Sequence, residues 1–164
     1  MSTQRASLFD LVTGSTADLD EVMATMHAAF DPSFGEAWTR NQCSGIMGLA
    51  GVWLLVARYD GRAAGFALSR AVADEAELLL LAVQPEQRRF GIGRALLDGV
   101  AAEAGARGAT RLHLEMRDGN PAINLYNGAG FHEVGRRKRY YRGKDGASFD
   151  AITLACPLLS SNCR

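Results

Sequence analysis

Residues 78–97 read LLLLAVQPEQRRFGIGRALL. A wholly apolar run gives way at Gln84-Pro85 to a short arginine-bearing loop, which leads into the start of an amphipathic helix. A strand that is apolar on both faces belongs in the middle of a sheet. Gly91 and Gly93 stand where the helix begins, with Arg88, Arg89 and Arg94 around them. The first turn of a helix has unpaired N–H groups and the positive end of the helix dipole, so it receives anions. Glycine lets a phosphate approach that backbone closely, and arginine adds fixed charge. The unit predicts a diphosphate cradle on a strand–loop–helix. Its alternative is a solvated helix cap with charge-compensating arginines.

Spacing narrows the choice of diphosphate. A P-loop requires Gly-Lys-Ser/Thr at the helix start, where this chain has Gly93-Arg94-Ala95. A dinucleotide fingerprint requires a third glycine, and Leu96 holds that place. What remains is Arg88-x-x-Gly91-x-Gly93, directly after Leu81-Ala82-Val83.

Outward from this unit the pattern is regular. Residues 7–13 alternate weakly and predict a first strand. Thr16, followed by Asp18, Asp20 and Glu21, predicts a helix start, and Val22, Met26 and Phe30 mark its apolar face. Asp31-Pro32-Ser33 breaks that helix, and a second is expected over 36–47. Strands over 52–59 and 63–71 flank Asp60-Gly61, a tight-turn signal. Downstream, Ile92, Leu96 and Val100 form a helical stripe closed by Gly108, and 111–116 alternates strictly. Residues 120–129 predict another helix, stopped by Gly130. Two long strands, 131–141 and 149–156, are expected around Lys144-Asp145-Gly146, ahead of a frayed tail at 160–164.

Composition sets the class. The chain of 164 residues is most simply one domain, 1–164, large enough for a real core. A formal net charge of zero argues against a nucleic-acid binder that relies on bulk positive potential. Among the 18 basic residues only Lys138 and Lys144 are lysines, which reads as a compositional bias of the source. Cys43, Cys156 and Cys163 have no metal-ligand spacing, so no metal is expected and reduced thiols are. No signal peptide or membrane span is read, which makes a cytoplasmic enzyme the default.

The second informative stretch is 112–131, LHLEMRDGNPAINLYNGAGF. Together with the Arg88–Gly93 loop it resembles the GNAT superfamily of N-acetyltransferases. The likeness is nearest to the ribosomal-protein-alanine branch, which acetylates the N-terminal amine of a ribosomal protein. The element order β-α-α-β-β-β-α-β-α-β-β is similar to the GNAT fold from end to end. The resemblance implies an α/β (α+β) architecture, with a mixed central sheet of about seven strands, a splayed central strand pair and about four flanking helices.

The resemblance also implies acetyl-CoA as the donor. The backbone of Leu81, Ala82 and Val83 would hold the pantetheine arm, with an N–H near Val83 facing the thioester carbonyl. Arg88, Arg89, Phe90, Gly91, Ile92, Gly93 and Arg94 would hold the diphosphate. Glu115 matches the branch's general base, Tyr126 its general acid, and Asn120 a cofactor contact, with Tyr126 also beside the cofactor. The run RRKRYY, 136–141, and the pair Asp150-Ala151 fit the same branch. Two departures stand out. The Asn120-Pro121-Ala122 segment is one residue shorter than the family's, and Phe149 stands where the branch carries Glu.

Each residue has a plainer reading beside the catalytic one. Glu115 faces away from Leu114 and Met116, which a solvated strand charge would do as well. Tyr126 suits a core tyrosine, and a packed ring also fixes where its hydroxyl points. Asn120 before Pro121 suits a helix N-cap. His113, on the side of Glu115, suits a structural histidine. The arginine-rich 136–142 run suits either an acidic substrate or a charge-protected strand edge.

The expected reaction is direct transfer in a ternary complex, with no acetyl-cysteine intermediate. The favoured acceptor is a protein or peptide N-terminus. An α-amine with a pKa of about 8 is roughly one-tenth neutral at pH 7, whereas a lysine at about 10.4 is neutral to roughly one part in 2,500. A single carboxylate base suits the easier case. The alternatives are a small-molecule amine or lysine as acceptor, and a non-catalytic acyl-CoA-binding module. The expected partners are acetyl-CoA and the acceptor, without nucleic acid or membrane, for a monomer or weak homodimer.

Overall fold

Strand β1, Asp10–Thr13, leads into helix α1, Leu19–Ala29, through a turn that caps itself. The Ser15 hydroxyl accepts from the Ala17 N–H at 3.2 Å, and the Asp18 carboxylate accepts from the Ser15 N–H at 2.8 Å. Helix α2, Arg40–Met47, starts later than the expected residue 36. The reason is a reciprocal cap: Thr39 Oγ1 accepts from the Gln42 N–H, and Gln42 Oε1 accepts from the Thr39 N–H at 2.7 Å. Residues 36–38 are thereby left outside α2. Strands β2, Val52–Tyr59, and β3, Arg62–Val72, form the expected hairpin. Asp60 (φ 50°) and Gly61 (φ 74°) both adopt the left-handed region that its tight turn demands. These coordinates, a computed structural model, describe residues 8–158. Ser7, Cys163 and the predicted tail at 160–164 lie outside the described residues.

Strand β4, Glu75–Val83, helix α3, Ile92–Ala106, and strand β5, Arg111–Arg117, form a crossover unit. Helix α4, Ile123–Gly128, and strands β6, His132–Arg142, and β7, Ser148–Pro157, complete the chain. The seven-stranded sheet has the order β1-β2-β3-β4-β5-β7-β6. Among the described residues its one parallel pairing is β4 with β5, as a strand–helix–strand connection requires. The architecture is the mixed α/β one expected. No helix among the described residues is long and apolar enough to cross a membrane.

Apolar side chains bury both faces of the sheet. On one, Ile92, Leu96, Leu97 and Val100 of α3 pack on Leu112, Leu114 and Met116 of β5 and on Ile152 and Leu154 of β7. On the other, Leu19, Val22, Met23 and Met26 of α1 and Cys43 of α2 cover Leu54, Val56, Phe66 and Leu68. Strand β4 serves both cores, because a bulge interrupts its alternation. The β3–β4 register passes from Leu68↔Leu80 to Ser69↔Leu78, leaving Leu79 as an extra residue. Ala76 and Leu78 therefore join the α3 core, while Leu80 and Ala82 join the α1 core.

The same irregularity opens the sheet. Strands β4 and β5 pair from Glu75↔Arg111 to Leu78↔Leu114 and no further. Leu79 to Val83 then have no partner on β5, and the two strands splay.

Candidate active site

A cavity of about 720 Å³ occupies the splay, within the range typical of small-molecule sites. Its floor is β4 from Glu77 to Val83 and β5 from Leu114 to Arg117. At one end lies the loop before α3, with Arg88, Arg89, Gly91, Gly93 and Arg94 on the wall. At the other, the segment between α1 and α2 contributes Phe34, Glu36 and Trp38, and β6 contributes Tyr140 and Tyr141.

The loop end is built to take an anion. Helix α3 has no side-chain cap at its N-terminus, whereas Thr39 caps α2. Arg89 (φ 72°) and Gly91 (φ 80°) turn the backbone left-handed just before the helix. A Cβ at Gly91 would meet nothing within 4 Å, and one at Gly93 would stay at ordinary distance, 3.4 Å, from Leu125. The open space beside Gly91 and Gly93 is what a diphosphate at the first turn of α3 would require. The arginines divide their work. Arg88 donates to the Ala29 carbonyl at the end of α1 (3.3 Å). Arg94 pairs with Asp98 (3.0 Å) and donates to the Gly128 carbonyl at the end of α4 (3.2 Å). Arg89 has no side-chain partner among the described residues and remains available. Phe90 lies off the cavity wall, its ring 53% exposed.

Glu115 and Tyr126 both reach this cavity. Glu115, from β5, pairs through Oε1 with Arg137 Nε at 3.0 Å; it also lines a second, open cleft with Glu77, His113 and Arg137. His113 stands between Glu75 (3.4 Å) and Glu77 (3.9 Å), one alternation back on the same side of β5. Tyr126, from α4, packs edge-to-face on Phe131 with centroids 5.7 Å apart, and is only 6% exposed. It is a core tyrosine whose hydroxyl has no hydrogen bond among the described residues. Burial first, and then the charge of Glu36, push that hydroxyl well above the ordinary tyrosine value, so it keeps its proton at neutral pH. Burial and the charges of Glu36 and Glu115 raise Tyr141 in the same way.

Asn120 lies on the wall with its amide already engaged. Its Oδ1 accepts from the Ala122 N–H (2.9 Å), in the manner of a cap, and its Nδ2 donates to Glu36 Oε1 (2.9 Å). Helix α4 begins at Ile123 rather than at residue 120, because the short segment is wound tightly: Ile123, Asn124 and Leu125 donate three residues back, to Asn120, Pro121 and Ala122. The 136–142 run forms the charged outer edge of the sheet, with Arg136 held by Asp118 at 2.6 Å.

Residues 19–131 match the acetyltransferase (GNAT) family. The chain belongs to that family. It is an N-acetyltransferase, and its family uses acetyl-CoA as donor. Over 100 residues, 60% of this chain and 67% of the relative, it is 44% identical to the [ribosomal protein bS18]-alanine N-acetyltransferase of Escherichia coli K12. Over 117 residues, 63% of this chain and 68% of the relative, it is 35% identical to an N-alpha-acetyltransferase of Sulfurisphaera tokodaii. The crystal structure of the ribosomal-protein-S18-alanine N-acetyltransferase from Escherichia coli superposes with a TM-score of 0.83 at 33% identity, covering 95% of this chain and 99% of that one.

Among the members of the acetyltransferase's cavity wall that sequence reasoning missed are Phe34, Glu36, Trp38 and Arg117. The Thr39–Gln42 cap was the usable signal, since it frees residues 36–38 from α2. Nothing local marks Arg117, whose partners are distant in the chain.

Proposed function

We propose that this acetyltransferase modifies the N-terminal α-amine of a protein, of the ribosomal-protein-alanine type, by direct transfer in a ternary complex. The observation that carries the reading is the convergence of Glu115 and Tyr126 on one cavity that ends at the uncapped start of α3. Residues 1–164 act as one domain, in the cytoplasm, in keeping with the free thiols of Cys43 and Cys156.

Acetyl-CoA supplies the activated acetyl group as a thioester. The amides at Gly91, Ile92 and Gly93, with Arg89 and the positioned Arg88 and Arg94, hold its diphosphate, and Phe90 lies on the same loop. The edge of Leu81, Ala82 and Val83 that β5 leaves open holds the pantetheine arm, and Asn120 fixes the wall beside it. Glu115 accepts one proton from the acceptor's ammonium group, leaving the neutral amine that attacks. Tyr126 donates its O–H toward the departing sulfur. Its raised pKa suits a hydrogen-bond donor that is refilled by the second amine proton. The balance is ammonium plus thioester giving amide, thiol and one released proton.

The test is thiol release from acetyl-CoA with peptides bearing free Ala, Ser or Met N-termini, an N-blocked lysine peptide, and spermidine. The free N-termini are expected to turn over, and Glu115→Gln to lose turnover while still binding acetyl-CoA. Turnover of the blocked peptide and spermidine alone would overturn the N-terminal assignment. Absence of turnover with every amine would favour a binding module.

A further inference from the structure

Arg117 ends β5, in register with Ala151, on the side of the strand that carries Glu115. Its side chain is 9% exposed, an unusual place for a guanidinium. The guanidinium carbon lies 3.7 Å from the centre of the Phe34 ring and 5.6 Å from that of Phe149. The two rings pack edge-to-face at 5.3 Å. Arg117 Nε is 3.5 Å from Glu36 Oε1 yet makes no hydrogen bond, while Nη1 donates to the Asp118 carbonyl at 3.3 Å. The same Glu36 oxygen accepts from Asn120. One cation thus gathers the end of β5, the segment between α1 and α2, and the start of β7.

We propose that Arg117 is a positioning residue for the acceptor: by holding Phe34 and Glu36 it fixes the wall past which the amine reaches Glu115. This rests on the reading above, in which the end of the cavity opposite the diphosphate loop admits the acceptor. The segment Arg117 holds is also wedged against the β6–β7 hairpin. A Cβ at Gly35 would collide with the Arg142 carbonyl, and one at Gly143 with the Ser33 carbonyl, while the Lys144 N–H donates to the Pro32 carbonyl at 3.3 Å. Displacing the segment therefore moves both sides of the acceptor end together. The diphosphate loop has its own ties, Arg88 to Ala29 and Arg94 to Asp98 and Gly128, and none involves Arg117. Loss of Arg117 accordingly separates the two substrates. It also leaves the Glu36 carboxylate buried without its cation, a state more costly than removal of both charges.

The experiment compares Arg117→Met, which keeps the bulk, with Arg117→Lys, which keeps the charge but not the planar stack. The acceptor is whichever amine of the panel turns over, and acetyl-CoA affinity is measured separately by calorimetry. In Arg117→Met the acceptor KM is expected to rise about tenfold or more, with acetyl-CoA affinity within about twofold of the parent. Arg117→Lys should fall between. Adding Glu36→Gln to Arg117→Met should worsen the KM no further, since the stranded charge is gone. An unchanged acceptor KM, an equal loss for both substrates, or a double variant whose defect multiplies the two single ones would each overturn the proposal. Should Arg117→Met fail to fold, Phe34→Leu removes the ring and keeps the ion pair; a raised acceptor KM with unchanged acetyl-CoA affinity supports the proposal, and an unchanged KM defeats it. Undiminished turnover in Glu115→Gln would remove the base assignment and leave these measurements standing.

Discussion

Replacing Tyr126 by Phe isolates one oxygen atom. The ring is 6% exposed and rests on Phe131 at 5.7 Å, contacts that phenylalanine reproduces. The hydroxyl has no hydrogen-bond partner among the described residues, so its removal strands nothing. The folding cost is accordingly under about 1 kcal/mol, the small effect of an isosteric exchange that breaks no bond. In the proposed mechanism the same atom meets the charge gathering on sulfur in the transition state. A preorganised donor of that kind contributes about 3–4 kcal/mol, so kcat should fall about 10²–10³-fold. Acetyl-CoA affinity should be little changed, because the donor acts only as the C–S bond breaks. Thiol release at saturating acceptor gives kcat; calorimetry gives the affinity; thermal unfolding controls for stability. An acyl donor whose thiol is more acidic should lose less, since its sulfur needs less help. A kcat within about threefold of the parent in folded Tyr126→Phe would refute the reasoning.

Gly93→Ala tests the cradle. The added Cβ meets Leu125 and Val83 at 3.4 and 3.7 Å and sits in a helix, so unfolding should be unchanged or slightly later, while acetyl-CoA affinity drops about tenfold because the methyl occupies the approach to the amides. Equal affinity in the two proteins would place the diphosphate elsewhere. Alkaline stability follows from the buried tyrosines. The hydroxyls of Tyr126 and Tyr141 lie above their ordinary value in the folded protein, so their contribution is complete below pH about 10 and is lost as pH rises beyond it, where the unfolded chain ionises first. Melting temperatures measured across that range should fall less steeply for Tyr126→Phe than for the parent; parallel curves would contradict the assignment.

The parts of the molecule legible in its sequence are those governed by local rules. Alternation over 111–116 placed Glu115 opposite Leu114 and Met116, and the structure keeps that division. Asp60-Gly61 produced its turn, and Gly91 and Gly93 marked the start of α3. Glu36 suits a first helical turn, yet the Thr39–Gln42 pair caps more strongly and sets the start of α2 at Arg40. Asn120-Pro121 resembles a helix start, whereas the shortened segment winds more tightly, so α4 begins only at Ile123. Arg117 illustrates the remaining limit. Its charge argues for solvent, and only the assembled fold brings Phe34, Glu36 and Phe149 around it.

The bulge at Leu79 leaves the sheet with an unfinished ladder at its centre. From Leu79 to Val83 the β5-facing edge of β4 looks across a gap, while its other edge stays paired with β3 from Leu80↔Leu68 to Val83↔Gly65. The donor arm proposed to lie there would complete the ladder in place of polypeptide. Such a ligand binds the folded chain and not the unfolded one, so every increment of occupancy stabilises the fold. The enzyme would then be most resistant to unfolding when its acetyl donor is abundant, which makes the substrate part of the scaffold that uses it.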